Sequence, residues 1–384
     1  MKPNKFEVHI KRSDFYILCL QGFCIAFNVA SVSAIVPAIS DEFGMSAFVV
    51  GRINWAYMLP YGLVALVYGP LTRAFDNKHI AIASLGFFSI FSFLSGIASS
   101  YASLFFYRFM VGIFAAAITP LSLIYIAEHS HESSRGKMVG FFFSATFVAD
   151  LIGLFLSGIV PWRVMFFIPS ILGIIAVYFT AKKFPHVLAG KSRTGARYIS
   201  ALKDKTILRA FVYIFMVSLL YHGVRQWLGV YFADELGMKQ FFVSITLTLV
   251  SLAGIFGEAF GGLWSDKKGR IVTLKSGLLL MVISVFFLIF VRSFAVIPIL
   301  MLLWGFGWTV NHSGVSTFLT DLNKDFMKEI SSLNSSVRFV AGGAGVMAAG
   351  YLMQMSFKFG FLVYFLLLTL LFLSTNSLLA KRIN

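Results

Sequence analysis

The stretch Gly262-Leu263-Trp264-Ser265-Asp266-Lys267-Lys268-Gly269-Arg270 decides how the rest of the chain is read. It closes one long apolar run and precedes another, which predicts a short charged loop between two membrane-crossing helices. Glycines at its ends suit a tight turn with close backbone approach. A partner, Gly69-Pro70-Leu71-Thr72-Arg73-Ala74-Phe75-Asp76-Asn77-Lys78, stands 193 residues upstream. A second pair keeps the same 193-residue offset: Asp41-Glu42-Phe43-Gly44-Met45 and Asp234-Glu235-Leu236-Gly237-Met238. Two unrelated short matches at one offset mark an internal duplication.

Composition widens that reading to the whole chain. Of 384 residues, 58% are hydrophobic and 12% charged, which excludes an ordinary soluble domain. With about 20 apolar residues needed per crossing, about twelve spans are predicted. In the first half they cover roughly 15–36, 51–71, 79–98, 103–127, 138–160 and 163–184. In the second half they cover roughly 209–232, 241–264, 272–291, 295–319, 330–354 and 357–380. The expected architecture is all-α and membrane-integral: two pseudo-symmetric six-helix bundles, 1–184 and 209–384, joined by a basic linker at 185–208.

A net charge of +16 would suggest nucleic acid as the partner of a soluble protein, but here the charges sit in loops. If both termini share one side, only Arg52, Arg163, Lys239, Arg292 and Lys358 of the 32 basic residues lie opposite, with Arg108, Arg225 and Arg338 inside spans. That asymmetry predicts cytoplasmic termini in a bacterial inner (plasma) membrane. Lys191, Arg193, Arg197, Lys203 and Lys205 of the linker read as a solvated face near anionic lipid. Cys19 and Cys24 share one span and carry no information about redox compartment. A polar start of about a dozen residues leads into a full-length span, so no cleavable signal is apparent.

The loop at 262–270 resembles the cytoplasmic motif of the major facilitator superfamily, Gly-x-Leu-x-Asp-Arg-x-Gly-Arg. Gly262, Asp266, Gly269 and Arg270 fall in place, Lys267 stands for the Arg, and Trp264 replaces the Leu. In the fourth span Arg108-Phe109-Met110-Val111-Gly112 is similar to the family's Arg-x-x-x-Gly signature, leading to Glu128 and Arg135-Gly136. The family's drug/proton antiporter branch is the nearest pattern. That branch carries Gly-Pro-x-x-Gly in its fifth span, where this chain has Ala149-Asp150-Leu151-Ile152-Gly153. The resemblance implies secondary transport of a small solute by alternating access, with the substrate near midplane; the intramembrane arginines suit a polar or anionic metabolite and the aromatics an amphipathic compound. It also implies that Gly69, Arg73, Asp76, Glu128, Arg135, Gly262, Asp266, Lys267, Gly269 and Arg270 form the gating loops. There the loop aspartate steadies the outward-facing state against a helix N-terminus of the opposite half; Asp266 can do so near Arg135, whereas its counterpart Arg73 has the wrong sign.

An ionisable group inside the hydrocarbon costs ~2.5 kcal/mol or more, so each one invites a functional reading. Asp150 lies roughly 16 Å below Pro161, near midplane, and is the candidate proton carrier. Arg108 lies about 8 Å below its span's end and is expected to reach Asp150 or an anionic substrate. Arg225 sits beside His222, Gln226 and Trp227 in the seventh span, where a substrate role is expected. Glu258, His312 and Arg338 share a depth of about 12–14 Å from their helix ends, which predicts a neutralised network with Asn334. Glu258 and His312 can also titrate, adding them to Asp150 as proton-coupling candidates. Tyr221, Trp227, Trp304 and Trp308 are candidates for an aromatic wall, and the amides Asn28 and Asn311 for further substrate contacts.

No Gly-x-x-x-x-Gly-Lys-Ser/Thr loop occurs, so ATP is not expected to drive transport. No nucleophile–base pair or metal-ligand spacing stands outside the spans, so neither an enzyme, a cofactor nor a metal is expected. The expected partners are a small solute, protons and the lipid bilayer, with no nucleic acid and a monomeric state. A sodium-coupled or facilitative carrier is the neighbouring alternative. A transporter-like receptor or scaffold is the alternative from another class.

Overall fold

The computed structural model describes residues 10–130, 132–186, 197–322 and 324–379. The described residues form an all-helical protein. The first span runs over Arg12–Ala30 and, after a break at Ser31, over Val32–Phe43. The second is Arg52–Ala74 and the third Asn77–Gly96. The fourth combines Tyr101–Ala115 and Ile118–His129; Glu132–Leu156 and Val164–Lys183 are the fifth and sixth. The seventh is Lys205–Val230, ending in a wide turn at Tyr231–Glu235. Gln240–Lys268, Arg270–Leu288, Ile297–Thr320, Met327–Met355 and Phe357–Leu379 complete the set.

Among the described residues, ten helices are long and apolar enough to cross a membrane on composition alone. The second and tenth spans are not among them; in the tenth, Thr309, Asn311, His312 and Ser313 dilute the apolar character. Those polar residues are tolerable because neighbouring helices cover them: Thr309 and Asn311 are buried. Large apolar side chains such as Phe256, Phe290 and Leu370 lie exposed instead, as lipid-facing surfaces require. The side holding Arg12, the linker and Leu379 is called the terminal side below, and the opposite one the far side.

The duplication is visible in the backbone. Gly44 and Gly237, the glycines of the repeated acidic segments, take φ values of 61° and 63°. Both end a helix in the left-handed region that glycine enters without steric cost. The acids beside them are anchored alike within their own halves. Glu42 pairs with Arg163, and Glu235 with Arg292 at 3.2 Å.

The stretch at 262–270 corrects the expected loop. Gly262 to Lys268 are the last turns of the eighth helix, and only Gly269, at φ 89°, makes the joint. Lysines in a last turn oppose the negative helix end favourably, so the charges did not mark where the helix stops. In the other copy Asp76 caps the third span, accepting the Lys78 backbone N–H at 2.9 Å. The predicted linker is also partly helical: Tyr198–Lys203 form a short helix, and Asp204 caps the seventh span through Thr206 N–H at 2.8 Å.

Candidate functional site

Several hydrogen bonds join the two bundles toward the far side. The Arg225 guanidinium of the seventh span donates to Ser33 Oγ of the first at 2.8 Å. Gln240 spans the same seam, donating to the carbonyl oxygens of Ala34 at 2.8 Å and Ser157 at 3.2 Å. Ser157 and Ser244 share a hydroxyl hydrogen bond of 3.0 Å between the fifth and eighth spans. Gly229 allows the seam to close, since a Cβ there would collide with the Ser33 carbonyl oxygen. At midplane Tyr61 stacks on Phe339 at 3.8 Å, joining the second and eleventh spans.

Below this seal the second bundle presents a polar and aromatic interior. Tyr221 and Trp308 stack at 3.8 Å with a 6° angle, and Trp304 lies 5.4 Å from Tyr221. His222 and His312 approach Trp308 at 5.7 and 6.0 Å. His312 Nδ1 meets Glu258 Oε1 at 3.1 Å and Oε2 at 3.2 Å. These two side chains keep 22% and 29% of their surface open. Arg338 donates its Nε to Asn334 Oδ1 at 2.8 Å, but Nη1 and Nη2 have no protein partner. His222 Nδ1, Gln226 Oε1 and Trp304 Nε1 are also buried without one. A buried donor or acceptor left unmade costs about 1–3 kcal/mol, so this group is poised to receive a ligand or water.

The first bundle holds its own buried arginine differently. Arg108 donates to Asn28 Oδ1, whose amide in turn donates to Ser92 Oγ at 3.2 Å. Its guanidinium also lies 4.8 Å from the Tyr57 ring and 5.5 Å from that of Phe166. The expected contact of Arg108 with Asp150 is therefore not made. Asp150 lies within electrostatic reach of Arg225 across the seam, and Tyr221 feels both charges.

Other predicted residues also move. Trp227 leaves the aromatic wall: its ring packs on Phe48 at 5.1 Å and Nε1 donates to the Val346 carbonyl at 2.9 Å, wedging the far-side seam. Asn311 turns into the second bundle, donating to Tyr213 Oη at 2.5 Å and the Leu274 carbonyl at 2.9 Å. Glu258 and Arg338 are electrostatic neighbours but not an ion pair, since each has taken a different partner. Asp266 bonds Arg270 at 2.7 Å, and Arg270 bonds Asp321 at 3.0 Å, so this part of the gating motif is engaged within its own half. Glu128 is exposed; the side chains of Gly69, Arg73 and Arg135 lie outside those described. The seam residues Ser33, Ser157, Gln240 and Ser244 went unnoticed in the sequence. Small hydroxyls in an apolar span, and a glutamine at a helix start, carry no signal that separates them from ordinary packing.

Sequence comparison agrees with this geometry. The family model for the Major Facilitator Superfamily matches residues 18–346. An uncharacterized MFS-type transporter of Bacillus subtilis, YceJ, is 23% identical over 94% of this chain and 95% of its own length. The purine ribonucleoside efflux pump NepI of Salmonella enteritidis is 20% identical over 98% of this chain and 96% of its own. Among solved structures, the human organic anion transporter MFSD10 superposes with a TM-score of 0.77 at 15% identity, covering 95% of this chain and 99% of that one. The nucleoside transporter NupG gives a TM-score of 0.77 at 10% identity, over 95% and 98% of the two chains. Twelve spans in two bundles with a repeated loop motif, matched across 18–346, place this chain in the Major Facilitator Superfamily, a family of transporters and not of enzymes.

Proposed function

We propose that this protein is a proton-coupled secondary transporter of a planar, polar or anionic metabolite, working by alternating access. The observation that carries the reading is the set of unpartnered buried groups around Tyr221 and Trp308, above all Nη1 and Nη2 of Arg338. A flat ring would stack on the aromatic pair, and an acidic or carbonyl oxygen would satisfy the guanidinium fork. The names of the relatives, a purine ribonucleoside pump and an organic anion transporter, describe substrates of that chemistry. Asp150 acts as the proton carrier in this reading. Its charge holds Arg225, which bonds Ser33 in the far-side seam, so protonation of Asp150 loosens a contact between the bundles. Glu258 and His312 relay the proton toward the terminal side. In this reading the termini are cytoplasmic in a bacterial inner membrane.

The test is flux into proteoliposomes under an imposed pH gradient, with purine nucleosides and small organic anions as candidate solutes. Saturable, gradient-driven accumulation is expected. Asp150→Asn keeps the side chain's size and removes its titration; it should abolish accumulation while sparing exchange. Full gradient-driven accumulation in that variant would remove Asp150 from the coupling role.

A further inference from the structure

The terminal rim of the first bundle holds a cluster of candidate metal ligands that includes the gating-loop residue Asp76. Asp76 Oδ1 is occupied in capping the third span. Its Oδ2 faces two imidazoles, with His186 Nδ1 at 2.6 Å and His79 Nδ1 at 3.6 Å. The two rings are 5.5 Å apart, and one ligand atom from each of the three residues lies within 4.8 Å of the others. Asp76 is 7% exposed, whereas His79 and His186 are 70% and 61% exposed. A sheltered carboxylate is thus flanked by two accessible nitrogen ligands. We propose that Asp76, His79 and His186 bind a divalent transition-metal ion of the zinc type, which staples the start of the third span to the chain just past the sixth.

Geometry favours this assignment. Ligand bonds of about 2.0–2.2 Å place neighbouring donor atoms of a tetrahedral zinc about 3.3–3.6 Å apart. Asp76 and His79 already stand at that separation, because three helical positions put them on one face. The Asp76–His186 contact must open by roughly 0.7 Å to reach it. His186 lies beyond the end of the sixth helix at Lys183, where such a movement disturbs no helix. The capping bond from Lys78 N–H orients the carboxylate, as outer contacts do in metal sites.

The ligand set also decides which ion. Two imidazoles and one carboxylate suit zinc, copper or nickel, whereas calcium and magnesium demand oxygen donors. Lys78, Lys182 and Lys183 flank the ligands in sequence, so the segment is not one that collects cations by charge alone. Lys182 and Lys183 are turned toward the rings of Tyr178 and Phe179, at 4.8 and 5.4 Å, which leaves the ligands accessible. Sequence spacing could not reveal the triad, since His186 lies 110 residues from Asp76.

Full-length purified protein, freed of any affinity tag and stripped with chelator, is titrated with zinc chloride by calorimetry. Cobalt(II) is followed in parallel by its visible ligand-field bands. One equivalent of zinc is expected, with tetrahedral-type cobalt bands and a zinc-dependent rise in melting temperature. His79→Ala and His186→Ala should each weaken binding by at least ~10-fold, and the double variant should abolish the cobalt bands. Asp76→Ser withdraws the carboxylate but keeps a helix cap, so it should weaken zinc binding in a protein that still folds. His129→Gln should bind as the parent does. Zinc affinity unchanged in the double variant, equal binding of calcium or magnesium, or no zinc binding by the parent would each overturn the proposal.

Discussion

Two arginines buried in the same membrane protein are treated in opposite ways by the two bundles. Arg108 in the first bundle is 1% exposed, bonded to Asn28 and flanked by the rings of Tyr57 and Phe166. Arg338 in the second is 9% exposed, tied only through Nε to Asn334, with both terminal nitrogens unpartnered. A charge in hydrocarbon is expensive in either place, and the difference lies in what repays it. Protein groups do most of this for Arg108, through the Asn28 bond and the two rings, although its Nε is buried without a partner; it reads as a structural strut. A bound molecule has to do so for Arg338. Depth in the membrane therefore does not separate a binding residue from a packing residue; the state of its hydrogen-bonding groups does.

The sharpest way to break this comparison is to remove the partner of each arginine. Asn28→Ala strips a charge-assisted hydrogen bond from a buried guanidinium and should cost about 1.5–3 kcal/mol, read as a lower melting temperature in detergent. Asn334→Ala should cost less, because Arg338 is already partly unsatisfied. Arg338→Gln should leave the melting temperature nearly unchanged and remove any stabilisation by the transported solute. An equal loss of stability in Asn28→Ala and Asn334→Ala would erase the distinction.

The seam offers a test of similar size. Gly229→Val places a branched side chain against the Ser33 carbonyl, and overpacking of this kind costs about 1–3 kcal/mol. The far side should then be pushed open. Spin labels at Ser99 and Ser293, in a background lacking Cys19 and Cys24, should report a longer distance than in the parent. An unchanged distance would show that the Gly229 contact does not hold the seam shut.

Within the second bundle a double-mutant cycle separates touching from merely nearby charges. Glu258→Gln and His312→Gln should couple by about 0.5–3 kcal/mol, as contacting residues do. Glu258→Gln and Arg338→Gln should couple less, since the structure gives them different partners.

The smallest effect belongs to the repeated loops. Asp266 is 71% exposed on its side chain, so Asp266→Asn should cost only about 0.2–1 kcal/mol through loss of its bond to Arg270. Arg73→Asp, restoring an acid to the first copy, should shift the equilibrium between far-side-open and far-side-closed states toward the open one. The size expected is about 0.3–1 kcal/mol, that of a helix-end charge. The same pair of spin labels reads both variants, and a shift toward closure would show that Arg73 does not stand in for a lost acid.

By itself the sequence determined the span pattern, the uneven distribution of basic residues and the duplication. These are one-dimensional properties: hydropathy accumulates along the chain, and a repeated glycine such as Gly44 or Gly237 keeps its conformational role wherever it occurs. Depth arithmetic also brought Glu258 and His312 to one level, where they touch. Tertiary structure alone decided which way each side chain points about its helix axis. Successive residues are turned by about 100°, and the rotation and tilt of a span are set by its neighbours rather than by its own residues. That rotation gave Arg108 to Asn28 instead of Asp150, sent Trp227 into the far-side seam, and buried Asn311 within its bundle. It also brought His186 to Asp76 across 110 residues, a meeting that no local pattern encodes.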